Sequence, residues 1–215
     1  MQAVLHTYFR SSASYRVRIA LNLKGLSAEH VPVHLNRGGG EQFGAGFRTL
    51  NPQSLVPVWS DGVVVLTQSL AIMECLEERH PTPPLLPATI EERARTREIA
   101  LAIACDIHPL NNLRVLKYLT GPGGMEEEGK NAWVRHWLEL GLAALESRLA
   151  ADRREAFCIG ERPTMADCCL VPQLFNAQRF GVDLAPYPTL RAIDEACQAV
   201  PAFGAAHPAV QPDAE

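Results

Sequence analysis

The stretch Tyr8-Phe9-Arg10-Ser11-Ser12-Ala13-Ser14-Tyr15-Arg16-Val17-Arg18-Ile19-Ala20-Leu21 takes the backbone from an apolar strand, through a hydroxyl-rich turn, into a helix. The first amides of a helix have no internal partners, so amides and hydroxyls at that end together stabilise a negative group. A dithiol redox protein would carry Cys-x-x-Cys at such a turn. Here the turn reads Ser11-Ser12-Ala13-Ser14, so any thiolate used there must arrive on a ligand. On spacing alone Ser11, Ser12 and Ser14 read equally well as caps, since serine is a favoured residue at a helix start.

Working outward, residues 4–8 read as a strand and 14–24 as a helix stopped by Gly25. Residues 31–35 then return as a parallel strand, followed by a glycine-rich loop over 37–46. Val56-Pro57 precedes Val58-Trp59, and Asp61-Gly62 is a two-residue hairpin signal before a strand over 63–66. Ser69 is the expected N-cap of a helix that runs to residue 79 and stops before His80-Pro81. The order strand, helix, strand, hairpin, helix describes a small α/β unit.

Beyond a proline-rich segment at 80–87 the apolar spacing becomes almost wholly helical. Two domains are expected, at 1–83 and 88–215. Helices are expected over 90–106, 110–119, 131–150 and 190–200, with Gly121-Pro122-Gly123-Gly124 separating the second from the third. Thr164-Met165-Ala166-Asp167 has the form of a capping box. The tail 208–215 is expected to fray, as termini do by default.

At 215 residues and 47% hydrophobic content, the chain can bury a sizeable core. A net charge of −4 argues against a general nucleic-acid surface. No apolar run is long enough for a bilayer and no signal-peptide pattern opens the chain, so a cytoplasmic location is expected. The six cysteines, Cys75, Cys105, Cys158, Cys168, Cys169 and Cys197, show no metal-type spacing and read as reduced core residues. No metal site is expected.

These motifs resemble the zeta-class glutathione transferases, in the branch of the maleylacetoacetate and maleylpyruvate isomerases. In the first half the likeness lies in Phe9-Arg10-Ser11-Ser12, residues 15–21, Leu50-Asn51-Pro52, Val56-Pro57 and Gln68-Ser69-Leu70-Ala71-Ile72. It continues through residues 109–113, Ala166-Asp167, Val171-Pro172-Gln173, Arg179-Phe180, Val182-Asp183-Leu184, Pro186-Tyr187-Pro188, His207-Pro208 and Gln211-Pro212-Asp213. The resemblance implies a thioredoxin-like N-terminal domain, a helical C-terminal domain, glutathione as cofactor and a homodimer. One position departs from it: where the family commonly has cysteine after the two serines, this chain has Ala13.

By the same resemblance, Ser11 and Ser12 are the catalytic pair at the glutathione sulfur. Gln42, Val56, Gln68, Ser69, His108, Asn112 and Arg114 are further glutathione contacts, with Val56-Pro57 the family's cis-proline site. Read without the family, Pro57 is a turn residue, Ser69 a cap and His108 a helix-end residue. Arg10 and Arg179 are expected to bind a dicarboxylate substrate, because a guanidinium presents two parallel donors to one carboxylate. Arg16 and Arg18 lie on the opening helix, and Arg18 reads as a solvated surface charge. Leu113 leans toward maleylacetoacetate, though the neighbouring Arg114 weakens that distinction.

The activity implied is cis–trans isomerisation by reversible thiolate addition. A thiol of pKa about 8.5 is mostly protonated at neutral pH, and lowering it by about two units is worth about 2.7 kcal/mol in favour of the thiolate. Two other readings stay open: a general glutathione transferase acting on small electrophiles such as α-halo acids, and a non-enzymatic binding module whose serines are only caps.

Overall fold

The computed structural model describes residues 2–152 and 155–215. Strand β1 (Val4–Thr7) leads into helix α1 (Ser12–Leu23), and β2 (Glu29–Pro32) returns parallel to β1, with Val4 opposite Glu29. The short helix α2 (Ala45–Leu50) follows, then β3 (Val58–Ser60), β4 (Val65–Leu66) and α3 (Ser69–Arg79). The sheet runs in the order β2-β1-β3-β4, with β3 antiparallel to both of its neighbours.

The first helix stops as its sequence dictates. Gly25 takes φ 64°, and the Leu26 N–H reaches the Leu21 carbonyl at 2.9 Å, closing the last turn. Side chains at period two on the strands and at helical spacing on α1 and α3 meet on one face of the sheet, where Leu5, Val17, Leu21, Trp59, Ile72 and Leu76 pack. The other face collects Tyr8, Phe9, Val33, Phe47, Val56 and Val58. Truncating a residue such as Ile72 to alanine would cost about 2–5 kcal/mol. Lys24, whose side chain is fully buried, donates to Glu77 at 2.6 Å and to the carbonyls of His80 and Pro83, while Glu77 also accepts the Leu85 N–H.

Several expectations need correction here. The second strand lies earlier than 31–35, because the parallel ladder with β1 starts at Glu29. The loop 37–46 is interrupted by 3-10 turns, and α2 begins inside it at Ala45. The hairpin is longer than Asp61-Gly62: the Asp61 carboxylate accepts the N–H groups of Val63 and Val64, so β4 starts only at Val65. The N-cap of α3 is Gln68, and Ser69 is the first helical residue.

Leu86–Ala199 form a second compact unit, and the first comprises Met1–Leu85 together with Val200–Glu215. The tail thus belongs with the sheet and not with the helical half as expected. The short helix Pro201–Ala206 packs against α1, which the spacing did not reveal. The tail is also tied down, with Gln211 buried and donating to the carbonyls of Ala205 and His207.

In the helical unit, α4 (Ile90–Leu101) widens into a π-helical segment, Ala102–Ile107, and then tightens into a 3-10 turn, His108–Asn111. The sequence reads as one helix over 90–106, with the next from 110. Pro109, which has no N–H to continue the ladder, coincides with the break. Helices α5 (Leu113–Thr120), α6 (Glu127–Asp152), α7 (Met165–Arg179) and α8 (Pro188–Gln198) complete the unit. Helix α6 starts earlier than expected because Glu127 and Glu128 suit the positive end of the helix dipole. Gly141, in mid-helix, allows the close approach of Ile107: a Cβ there would sit 2.5 Å from Ile107 Cγ1. The capping box forms, with Asp167 fully buried and accepting from the Thr164 N–H at 2.7 Å and the Cys158 N–H at 2.8 Å. All six cysteines are free thiols, but Cys105 is exposed and Cys75 half-buried, so neither is a full core residue. No helix among the described residues is long and apolar enough to cross a membrane.

Candidate functional site

In the first unit the candidate residues follow β1, β2 and β4 and precede β3, and the strand order and directions put those four ends at the same edge of the sheet. Ser11 is the N-cap of α1, with its Oγ accepting the Ser14 N–H at 3.2 Å. A hydroxyl is one donor and two acceptors, so Ser11 keeps its proton to donate outward while it caps the helix. Capping and anion binding are therefore compatible roles for the same side chain. Ser12 is buried, and Ala13 leaves no thiol at the turn.

Gln42 is buried, donates from Nε2 to the Leu35 carbonyl at 3.3 Å, and leaves Oε1 with no partner among the described residues. Gly40 makes room for it: at φ 116° its backbone suits glycine, and a Cβ would lie 2.7 Å from the Gln42 amide atoms. The Val56–Pro57 peptide is cis. The Val56 backbone lies beyond the last registered pair, His6 with Val58, and so outside the β1–β3 ladder. Gln68 is exposed, donates to Gln53 Oε1 at 3.3 Å, and its side chain does not cap α3.

The residue that pattern reading missed is Arg16. It is 2% exposed and donates to the Ser69 hydroxyl at 3.3 Å, placing a cation beside the uncapped amides of α3. Arg18 is not a solvated surface charge either. At 1% exposure it donates to the carbonyls of Tyr8, Phe9 and Ala206 and to Thr7 Oγ1. Burial lowers its pKa to about 10, against the raising effect of Asp213, so it remains charged at neutral pH. A signal for both existed: Tyr15, Val17, Ile19, Ala20 and Leu21 surround them, and a helix apolar on every side is a buried helix.

The orphaned Gln42 acceptor, the Ser11 donor and the cation at Ser69 fit a peptide-like thiol: an amide partner, a sulfur anion and a carboxylate. Arg10 is exposed and lies over the Phe9 ring at 5.0 Å, with its guanidinium donating to the Tyr8 hydroxyl at 2.9 Å.

In the second unit His108 and Asn112 come together, with His108 Nε2 3.4 Å from Asn112 Nδ2. Asn112 also caps α5 by accepting the Arg114 N–H at 3.1 Å, and the Arg114 side chain is exposed. Arg179, at the last turn of α7, is exposed, with its guanidinium 5.8 Å from the Phe180 ring centre. Among the described residues no His, Cys, Asp and Glu group could hold a metal ion.

Comparison with known proteins identifies this arrangement. Family models described as the N-terminal and C-terminal domains of glutathione S-transferase match residues 10–79 and 131–198. A probable maleylacetoacetate isomerase of Vibrio cholerae is 51% identical over 100% of this chain and 99% of its own. A holo structure of a bacterial zeta-class maleylpyruvate isomerase superposes with TM-score 0.95 at 49% identity, covering 99% of this chain and 100% of that one. A maleylacetoacetate isomerase of Methylobacterium extorquens, solved with bound malonate and glutathione, superposes with TM-score 0.94 at 41% identity over 99% of each chain. Matched over essentially its whole length, the chain belongs to the zeta class of the glutathione S-transferases, in the branch of the maleylacetoacetate and maleylpyruvate isomerases.

Proposed function

We propose that the protein is a glutathione-dependent cis–trans isomerase that converts maleylacetoacetate to fumarylacetoacetate, or maleylpyruvate to fumarylpyruvate. The observation that carries this reading is the Ser11 turn: a hydroxyl at a helix N-terminus, with its proton available and no cysteine beside it. Glutathione, when bound, supplies a thiolate that adds reversibly to the maleyl double bond and so lets it rotate. Ser11 donates a hydrogen bond at the sulfur position, and the first amides of α1 add positive potential there, which together favour the anion. Ser12 lines the same turn. Gln42 accepts from a ligand N–H, the Val56 backbone pairs with the ligand's peptide group, and Gln68, Ser69 and the Arg16 cation hold its γ-glutamyl carboxylate. His108, Asn112 and Arg114 are the further glutathione contacts.

Arg10 and Arg179 bind the carboxylates of the substrate, which orients the reacting carbon and offsets the negative charge that develops. The working form is a cytoplasmic homodimer. The free cysteines support a reducing compartment, and the exposed Val63 in the β3–β4 turn and Val65 on the edge strand support an apolar partner surface.

The test is the turnover of maleylacetoacetate, and separately of maleylpyruvate, by the purified protein with and without glutathione. Fast, glutathione-dependent formation of the fumaryl product from either confirms the isomerase and identifies its substrate. Conjugation of an α-halo acid with neither isomerisation would assign the protein to general transferase chemistry instead.

A further inference from the structure

The two peptide groups that lead into Ser11 are held from far away in the chain. The Phe9 N–H donates to Asp213 Oδ2 at 2.9 Å, across 204 residues of sequence. The Phe9 carbonyl accepts from Arg18 Nη2 at 2.9 Å. The Tyr8 carbonyl accepts the Ser11 N–H at 3.0 Å and lies 3.4 Å from Arg18 Nη1. Arg18 ties this turn to the tail as well, since its Nε donates to the Ala206 carbonyl at 3.1 Å.

The last residues extend the same arrangement to the loop that carries Gln42. Glu215 accepts from Arg37 Nη2 at 2.7 Å and lies 3.3 Å from His34 Nε2. His34 Nδ1 in turn accepts the N–H groups of Asn36 and Arg37. The Arg37–Glu215 pair is exposed and contributes little on its own. The buried Arg18 and the charge-assisted bond from Phe9 to Asp213 are the strong members of the set. A helix cap needs none of this bracing, because Ser11 already completes the end of α1 through Ser14. What the remote contacts add is a fixed direction for the peptide plane before Arg10, and hence for the Ser11 hydroxyl.

We propose that the C-terminal tail is a positioning strap for the thiol-binding turn: Asp213, with Arg18 behind it, holds the Phe9 peptide and so aims Ser11 and Ser12 at the glutathione sulfur. The proposal rests on the reading of Ser11 and Ser12 given under the proposed function. Asp213 and Arg18 touch neither cofactor nor substrate in this account; they act through the turn.

The experiment compares wild type with Asp213→Ala, Asp213→Asn, Ser11→Ala and a chain ending at Gln211. Each is measured for kcat, for the glutathione KM and for the pH at which the ultraviolet absorbance of bound glutathione thiolate appears. Asp213→Ala and the shortened chain should lose about tenfold in kcat, as misplacement of a reacting group does, and their thiolate signal should appear at higher pH. Their glutathione KM should change much less, since Gln42, Val56 and Ser69 are untouched. Asp213→Asn should recover most of the loss, because its amide oxygen still accepts the Phe9 N–H. It also keeps the test decisive if the shortened chain does not fold. Wild-type kcat and thiolate titration in Asp213→Ala would overturn the strap, and so would a loss of stability in urea with an unmoved thiolate signal. If Ser11→Ala itself leaves rate and thiolate signal unchanged, the reading of the turn fails, whatever the tail does.

Discussion

Arg16 crosses from α1 to the first residue of α3 and donates to the Ser69 hydroxyl at 3.3 Å, so a buried cation stands at the second helix N-terminus of the site. That relationship separates the two helix starts by task. Ser11 opens α1 with a donor and no acidic neighbour in the first turn, whereas Ser69 opens α3 beside a full positive charge. A thiolate suits the first, and a carboxylate the second.

Replacing Ser69 by alanine should therefore weaken binding without slowing chemistry. We expect a glutathione KM raised by about tenfold, worth ~1.4 kcal/mol, with kcat within about twofold of wild type. Steady-state kinetics with varied glutathione checks this. A fall in kcat at constant KM would instead place Ser69 at the reacting atoms.

Ser11→Ala should show two separable effects. Loss of the cap costs about 1 kcal/mol of stability, read by urea unfolding. Loss of the donor costs more than about tenfold in isomerisation rate, ~1.4 kcal/mol or more of barrier. A variant that loses the stability but keeps the rate would make the serine a cap and nothing else.

Gly141→Ala tests packing in the helical unit. Alanine is the better helix former by about 1 kcal/mol. Its Cβ, however, would meet buried Ile107 at 2.5 Å, and overpacking of this kind costs about 1–3 kcal/mol. We expect net destabilisation, with an altered setting of the adjoining His108. A urea midpoint above that of wild type would show that Ile107 yields at no cost.

Stability should fall on mild acidification. Burial lowers the pKa of His6, His30 and His207 below the ordinary 6.5, with Arg18 lowering the last two further and Glu29 and Asp213 opposing the shifts at His6 and His30. The unfolded chain then binds protons that the folded chain refuses, so this contribution is complete above about pH 6.5 and is lost as pH falls through the lowered native values. Urea midpoints at pH 7.5 and 5.5 should differ, and less so in a His6→Gln/His30→Gln variant. An equal difference in both proteins would assign the acid sensitivity to other groups.

The turn at Ser11, the stop at Gly25 and the box between Thr164 and Asp167 are local events, each set by backbone amides that a nearby side chain or a glycine conformation satisfies. The stop and the box stand where the sequence places them, while the helix after the turn begins at Ser12 and not at the expected 14. Ser69 illustrates the limit: its residue type suits a cap, yet the cap position falls one residue earlier, on Gln68, and the Ser69 hydroxyl instead accepts from Arg16. The π-helical widening before His108 left no trace in the apolar spacing, since one extra residue in a turn disturbs a helical period too little to notice.

The order of the four strands and of the helices beside them, the change from strand to helical period near the proline-rich segment, and a serine turn with no cysteine were all readable from the chain alone, because these depend on neighbours in sequence; the short helices α2 and Pro201–Ala206 were not. The burial of Arg16 and Arg18, the place of the tail beside the sheet and the hold of Asp213 on Phe9 arise from folding contacts. The physical reason is the same in each case. The free energy of a charge or a terminal segment depends on what surrounds it, and part of those surroundings lies far along the chain: 53 positions from Arg16 to Ser69, 188 from Arg18 to Ala206 and 204 from Phe9 to Asp213.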